Sequence, residues 1–485
     1  MNKSKLLLLT AMLLLTTFQP VHSKNDKAVK ARLVKSIENQ SGRYWEMAMQ
    51  IWGWAEPGYQ EHQSSALLAA SLEKAGFTVE KGVAEIPTAF VATYGSGGPV
   101  IGILGEFDAL PGLAQQATPV RKTRTGAQGY GHGCGHHLFG VASSAAAIAV
   151  AEQIKDGALQ GTVRFYGTPA EEGGSAKVFM ARSGLFEDCD AVLHWHPGDQ
   201  NGAGDASCLA RIAVKFRFHG TSAHAAGAPE QGRSALDAVE LTNHAAQLLR
   251  EHTPDFTRIH HVITSGGGAP NVVPNFAEVF YYVRHPEAAV VQALYRRLLK
   301  CAEAGALATE TKLEVEYLGG TYNLLPNDAL SEVTLRNLRE FANIRYSDEE
   351  KTFAREIQKT LRKPKPLENL AQVQDGRGQL LKGSTDVGDV SWVVPTAGLQ
   401  TATWVPGVPA HSWQAVACGG MGIGRKGMIL AAKVLAATAW DLYHEPETLI
   451  AAKNELDQRR KSHPYKAMLE TGQKPPLDYR NAPKR

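Results

Sequence analysis

Short apolar runs alternate with helical ones along the first two hundred residues. Val100–Leu104, Thr162–Tyr166 and Ala191–His194 are strand-like, and Ala142–Ile154 has helical length and composition. Residues 28–80 read as two amphipathic helices, of which Ser65–Ala75 is the clearer. Such alternation predicts an α/β fold, a mainly parallel sheet flanked by helices. From about Arg211 the pattern changes. A strand at Ile212–Phe218 is followed by a helix at Ser234–Leu249 and strands at His260–Thr264 and Glu278–Val283. A helix at Ala288–Cys301 and a strand at Leu313–Tyr317 then complete one β-α-β-β-α-β unit of the ferredoxin-like kind. It reads as an insertion, because the earlier pattern resumes after Leu325. Residues 359–382, rich in Lys, Pro, Gly and Gln, read as a loop or linker. A strand at Leu399–Val405 and a long small-residue helix at Gly422–Leu442 follow, then a charged, Pro-punctuated peripheral helix and tail. The expected division is a leader at 1–23, a larger domain in two parts (24–209 and 321–445), the insert at 210–320, and a C-terminal helix and tail at 446–485.

The 485 residues can bury a sizeable core, and a formal charge of +3 is near balance. With no long basic run interleaved with aromatics, nucleic acid is not an expected partner. The N-terminus changes the picture more. Lys3 and Lys5 precede the apolar run Leu6–Leu15, and Val21-His-Ser23 offers small residues for cleavage. This is the pattern of a secretory signal peptide cut after Ser23, so an exported protein, periplasmic or secreted, is expected. The run is short for a bilayer core of ~30 Å, and no cysteine near the cut invites a lipid. No later stretch reads as long and apolar enough to span, so no stable membrane anchor is expected. Cysteines 134, 189, 208, 301 and 418 are an odd, sparse set whose pairing cannot be read from spacing.

The stretch Gly131-His-Gly-Cys-Gly-His-His137 gathers three histidines and a cysteine into seven residues. Glycines flank Cys134, so the backbone can bend until Cys134 and His136 aim at one point, as a divalent transition metal requires. Other apolar strands also end in potential ligands. Val163–Tyr166 leads into Pro169-Ala-Glu-Glu-Gly-Gly174, Ala191–Leu193 into His194-Trp-His-Pro197, and Thr401–Val405 into His411. Val100–Leu104 ends in Glu106-Phe-Asp108. Loops at the carboxyl ends of parallel strands meet, so these groups are expected to converge. Glu171-Glu172 offers one carboxylate as ligand and an unligated neighbour to take a proton from water. A non-catalytic metal-binding or periplasmic binding protein would have no use for that second carboxylate.

Together these residues resemble the co-catalytic metallopeptidase and amidohydrolase family of aminoacylases, carboxypeptidase G, plant auxin-conjugate hydrolases and aminobenzoyl-glutamate hydrolases. The motifs that carry the resemblance are GEFDALPG (105–112), GHGCGHH (131–137), PAEEGG (169–174), HWHP (194–197) and HGTSAHAAGAPEQGRSALDAV (219–239). GGGAPNVVPNFAE (266–278) and PAHS (409–412) complete the set. The resemblance implies Cys134, His136, Glu172, His194 and His411 as ligands of one or two divalent ions, zinc or manganese. It implies Glu171 as general base, with Asp108 behind the ligands orienting one of them. The inserted unit resembles that family's lid and dimerisation domain. Within it His224 would hold the oxyanion, often from the partner subunit, and Asn271 and Arg284 would contact substrate, Arg284 through a carboxylate.

The activity so implied is hydrolysis of an amide between an acyl or aroyl group and an amino acid, with p-aminobenzoyl-glutamate the best single substrate. A dipeptidase or N-acyl amino acid deacylase on the same site is the alternative. A homodimer through the lid, or a heterodimer with a related subunit, is the implied assembly. Three positions depart from the family pattern. Glu106 stands where many relatives carry a ligand His, His137 where many carry Asp, and Ser234 where Asn is usual. The first two put the second-metal contacts in doubt.

Overall fold

A computed structural model describes residues 24–480, apart from 126–128, 205 and 462. The leader read at residues 1–23 lies outside the described residues. The larger sheet has eight strands in the order Thr78–Lys81, Phe90–Ser96, Gly161–Gly167, Val100–Gly105, Ala191–Gly198, Thr396–Ala402, Asn201–Ala203 and Val373–Asp375. Its four central strands, from Gly161–Gly167 to Thr396–Ala402, are mutually parallel, and antiparallel pairs flank them. Both faces of these strands are apolar, as a sheet covered twice requires. Ile101, Ile103, Phe165 and Leu193 face the helices His136–Lys155 and Gly422–His444. Leu104, Tyr166 and Val192 face the other way, onto Phe179, Met180 and Val390. Each such side chain removed from water contributes about 1.5–3 kcal/mol.

Between Ala210 and Thr321 the chain builds a separate four-stranded antiparallel sheet, ordered Arg258–Ser265, Phe276–His285, Ala210–His219, Lys312–Thr321. Strict alternation drives it. Ile212, Val214, Phe216 and Phe218 are buried under the helices Ala235–Arg250 and Ala288–Thr309, while Arg211, Lys215 and Arg217 line the open face. Ser234 caps the first of these helices by accepting from the Asp237 N–H at 3.2 Å.

Some elements differ from expectation. Residues 28–80 hold three helices (Lys24–Asn39, Ser41–Trp54, His62–Lys74) rather than two: the run breaks at Gln40, and again where Ala55 and Tyr59 take left-handed backbone. The helix His136–Lys155 is long and apolar enough to cross a membrane by length and composition, contrary to the reading that no later stretch is. Its apolar window is 83% buried inside the protein, so it is a core helix. The five cysteines form no disulfide with one another.

Candidate metal centre and active site

The carboxyl ends of the four parallel strands carry the chemistry. Gly105 runs into Glu106 and Asp108, Gly167 into the Glu171–Glu172 loop, the third strand through His196, and the fourth through a turn to His411. The glycines around Cys134 admit two of these loops. At Gly133 a Cβ would sit 3.3 Å from the His411 Cα, and the His411 N–H donates to the Gly133 carbonyl at 2.9 Å. At Gly135, whose φ is +76°, a Cβ would meet Pro197 at 2.7 Å. His411 itself holds φ at +59°, an unusual backbone for a non-glycine and one that clusters at functional sites.

Three groups of ligand atoms converge, each within 4.8 Å: Cys134, His136 and His196; Cys134, Glu172 and His411; Glu106, His136 and Glu171. The tautomers suit a cation. His136 Nδ1 donates to Asp108 Oδ1 at 2.7 Å, which turns Nε2 toward the cluster. His196 Nδ1 donates to the Pro197 carbonyl at 2.7 Å, and its Nε2 lies 3.4 Å from Cys134 Sγ. Such backing hydrogen bonds fix ligand histidines. Glu106 Oε2, His136 Nε2 and Glu172 Oε1 are buried without a hydrogen bond, although His136 Nε2 is 3.1 Å from Glu106 and His411 Nε2 is 3.2 Å from Glu172. Buried polar atoms in that condition are costly, and divalent cations held by the groups they belong to would satisfy them. Burial, with Glu172 adding, holds the Cys134 thiol well above its ordinary range, so a thiolate there needs a cation beside it. The donor set fits a divalent metal.

The histidine that faces Cys134 is His196, not His194. His194 belongs to none of the three groups. Its ring lies over Gly398, where a Cβ would come within 2.3 Å of Nε2. The strand runs on to Gly198, four residues past the expected end, and that brings His196 rather than His194 to Cys134.

Behind the ligands sits an ion network that the sequence reading missed. Lys177, fully buried, reaches Glu106 Oε1 at 2.8 Å and Asp386 Oδ1 at 2.7 Å. Burial alone would lower its pKa, but Asp386 and Glu106 outweigh that and hold it well above the ordinary lysine value. Burial likewise works against the charge of Asp108, yet His136 and the Glu172 N–H, 2.8 Å from Oδ2, keep it below the usual carboxylate range. Glu171 is the opposite case. Burial, then the charges of Glu106 and Glu172, push it well above the usual value. Raised acids of this kind suit proton transfer near neutrality.

Asn271 and His224 lie on exposed loops of the inserted unit. His224 Nδ1 accepts from the N–H groups of Ala226 (3.2 Å) and Gly227 (3.0 Å), so its proton is on Nε2 and available to donate. Arg284 pairs in register with Arg211 across the open face, and the two guanidinium carbons lie 5.5 and 4.9 Å from the Tyr282 ring centre. Nε of each arginine is buried without a hydrogen bond. Arg211 also donates to Ser175 Oγ at 3.2 Å, beside the Glu171–Glu172 loop. A cleft of about 370 Å³, lined by Leu113, Gln115, Arg121, His411 and Trp413, opens at the cluster. A larger cavity of about 770 Å³, among Tyr295, Tyr322, Trp392 and Met468, contains none of the cluster residues.

A parallel α/β sheet that gathers thiol, imidazoles and carboxylates at its strand ends, with a raised carboxyl held beside them, defines a metal-dependent amidohydrolase. The chain belongs to the peptidase family M20/M25/M40, whose profile matches residues 102–366. It is 42% identical over 457 residues to a subunit of the p-aminobenzoyl-glutamate hydrolase of Escherichia coli (strain K12), covering 89% of this chain and 95% of that one. To the Xaa-Arg dipeptidase of Homo sapiens it is 28% identical over 454 residues, 88% of this chain and 92% of the relative. Among solved structures, a dinuclear metal-binding M20-family peptidase of Bacillus subtilis shares the fold with a TM-score of 0.57. It is 17% identical, with 86% of this chain and 99% of that one covered.

Proposed function

We propose that the protein hydrolyses the amide between an aroyl or acyl group and an amino acid, with p-aminobenzoyl-glutamate as its substrate. One observation carries this. Cys134, His136, His196, Glu172 and His411 converge while the half-buried Glu171, raised in pKa, stands beside them. The substrate itself is suggested by the likeness to the E. coli hydrolase. Arg211 and Arg284, each with a buried Nε that lacks a hydrogen bond, support it, since two adjacent guanidiniums suit a dicarboxylic amino acid such as glutamate.

Cys134, His136 and His196 would hold one ion, and Glu172 and His411, beside Cys134, would hold a second. The sulfur favours zinc over manganese. A divalent ion, when bound, supplies Lewis-acid charge that acidifies water and polarises a carbonyl. Glu171 takes the proton of the attacking water and delivers it to the leaving amine. His224 Nε2–H donates to the oxyanion as charge develops. It lies on an exposed loop of the inserted unit, and on the family resemblance we assign this contact to the lid of a partner subunit. The E. coli relative is named as one of two related subunits of its hydrolase, which supports a heterodimer with a related chain. We place the protein outside the cytoplasm on its leader sequence.

Glu171→Gln should cut kcat on p-aminobenzoyl-glutamate by ~10²–10⁴-fold while bound metal per chain is unchanged. Retained turnover would overturn the mechanism. The likeness to the Xaa-Arg dipeptidase supports a second reading. Side-by-side rates on p-aminobenzoyl-glutamate, N-acyl amino acids and Xaa-Arg dipeptides decide between them.

A further inference from the structure

The C-terminal segment is neither peripheral nor loose. After the helix Pro446–Arg460 it crosses from the inserted unit to the catalytic loop. Tyr465 Oη donates to Asp389 at 3.0 Å. The Met468 carbonyl accepts from the Gly320 N–H at 2.9 Å and from Tyr317 Oη at 3.2 Å, and the Met468 side chain is buried in the core of the inserted unit. Further on, the Leu477 carbonyl accepts from Gln60 Nε2 at 2.9 Å, and the Tyr479 ring meets Tyr59 edge-on at 5.7 Å. Arg480, the last residue described, donates from its guanidinium to the backbone carbonyl of Glu172.

The seat for this end is built into the catalytic part. A Cβ at Gly58 would stand 2.2 Å from Tyr479 Oη, and one at Gly173, whose φ is +134°, would stand 3.1 Å from the Tyr479 ring. Tyr59 Oη, under the same ring, donates to the Gly174 carbonyl at 2.7 Å. The Glu172 residue is therefore gripped at both backbone poles. Its N–H is held by Asp108, which also orients His136, and its carbonyl is held by Arg480.

We propose that Tyr479 and Arg480 are positioning residues that fix the Glu171–Glu172 loop, so that the C-terminal strap is part of the catalytic apparatus and ties it to the lid. Glu171 must lie within hydrogen-bond reach of a water and Glu172 within ligand reach of a metal. Displacements near 1 Å in such a site cost about 100-fold in rate. This rests on the amidohydrolase reading given above.

The test uses full-length Arg480→Met, Arg480→Lys and Tyr479→Ala, with Lys474→Ala, which breaks only an exposed pair with Glu85, as control. Measured are kcat and KM on the amide the wild type cleaves, metal retained per chain after dialysis, and Tm. Arg480→Met and Tyr479→Ala should lower kcat about 10- to 100-fold, with KM changed less than about twofold. Both should retain less metal, with Tm within about 2 °C of wild type. Arg480→Lys, which keeps a cationic donor, should recover most of the loss. A kcat for Arg480→Met within about twofold of wild type would overturn the proposal, as would a kcat loss that tracks a fall in Tm and is not rescued by lysine. A wild type that cleaves no amide would sink the amidohydrolase reading instead, and metal retention would still decide the role of the strap.

Discussion

Lys177→Met removes the one ammonium between Glu106 and Asp386, both fully buried. The isosteric thioether fills the space, so the change isolates charge from packing. Breaking a buried pair by deleting one partner costs about 3–5 kcal/mol, because the remaining charge stays desolvated. Here Asp386 loses its ammonium while Glu106 keeps only His136, 3.1 Å away, and the native state can relieve the two carboxylates by binding one proton. For a carboxyl of ordinary pKa ~4, that proton costs about 4 kcal/mol at pH 7 and about 1.4 kcal/mol at pH 5. The sign follows from linkage. In the variant the carboxyl's folded pKa lies above its unfolded value, so nothing is lost below the unfolded pKa and the penalty grows as pH rises towards the folded one. Urea unfolding of wild type and variant should therefore differ by about 3–5 kcal/mol at pH 7 and by less at pH 5, with unchanged m. Lys177→Met/Asp386→Asn should recover most of the difference at pH 7. A penalty equal at the two pH values, or below about 1 kcal/mol at pH 7, would show that the network is not held by charge.

Three further outcomes are expected. His196→Ala should strip metal from the purified protein and His194→Ala should leave it bound, as read by elemental analysis; the reverse pattern would restore His194 as ligand. Gly398→Ala places a methyl against the His194 ring and should lower stability by about 1–3 kcal/mol, seen as a drop in Tm. Burial pushes His132 down to about 3 while its Nε2 donates to the Ile51 carbonyl at 3.1 Å. The unfolded chain takes up a proton below about 6.5 that the native state refuses, so stability falls with pH by up to about 1.4 kcal/mol per unit. Replacing His132 with Phe should flatten that slope between pH 6 and 4, and an unaltered slope would assign acid lability elsewhere.

What the sequence made legible follows from local periodicity. Short continuous apolar runs placed the parallel strands, and strand ends carrying Cys134, Glu171, Glu172 and His411 marked one side of the sheet. The choice between His194 and His196 was beyond that signal. Residues two apart share a face of a strand, so alternation places both histidines alike, and only the strand's true end separates them. That end is fixed by pairing with Thr396–Ala402, a partner far away along the chain. Two residues of extended chain are about 6.7 Å, more than the spread of the ligand atoms that meet at Cys134. Lys177 was invisible for a related reason. On the short helix Ala176–Arg182 it looks like any surface lysine, and only the folded positions of Glu106 and Asp386 justify burying it. The same holds at the C-terminus, where charge and proline density read as a peripheral helix and tail. Its hold on the protein is a scatter of single contacts, from Met468 on one sheet to Arg480 on the Glu172 carbonyl. No apolar period announces such contacts, because each depends on a backbone group or a glycine gap that exists only once the rest of the chain has folded.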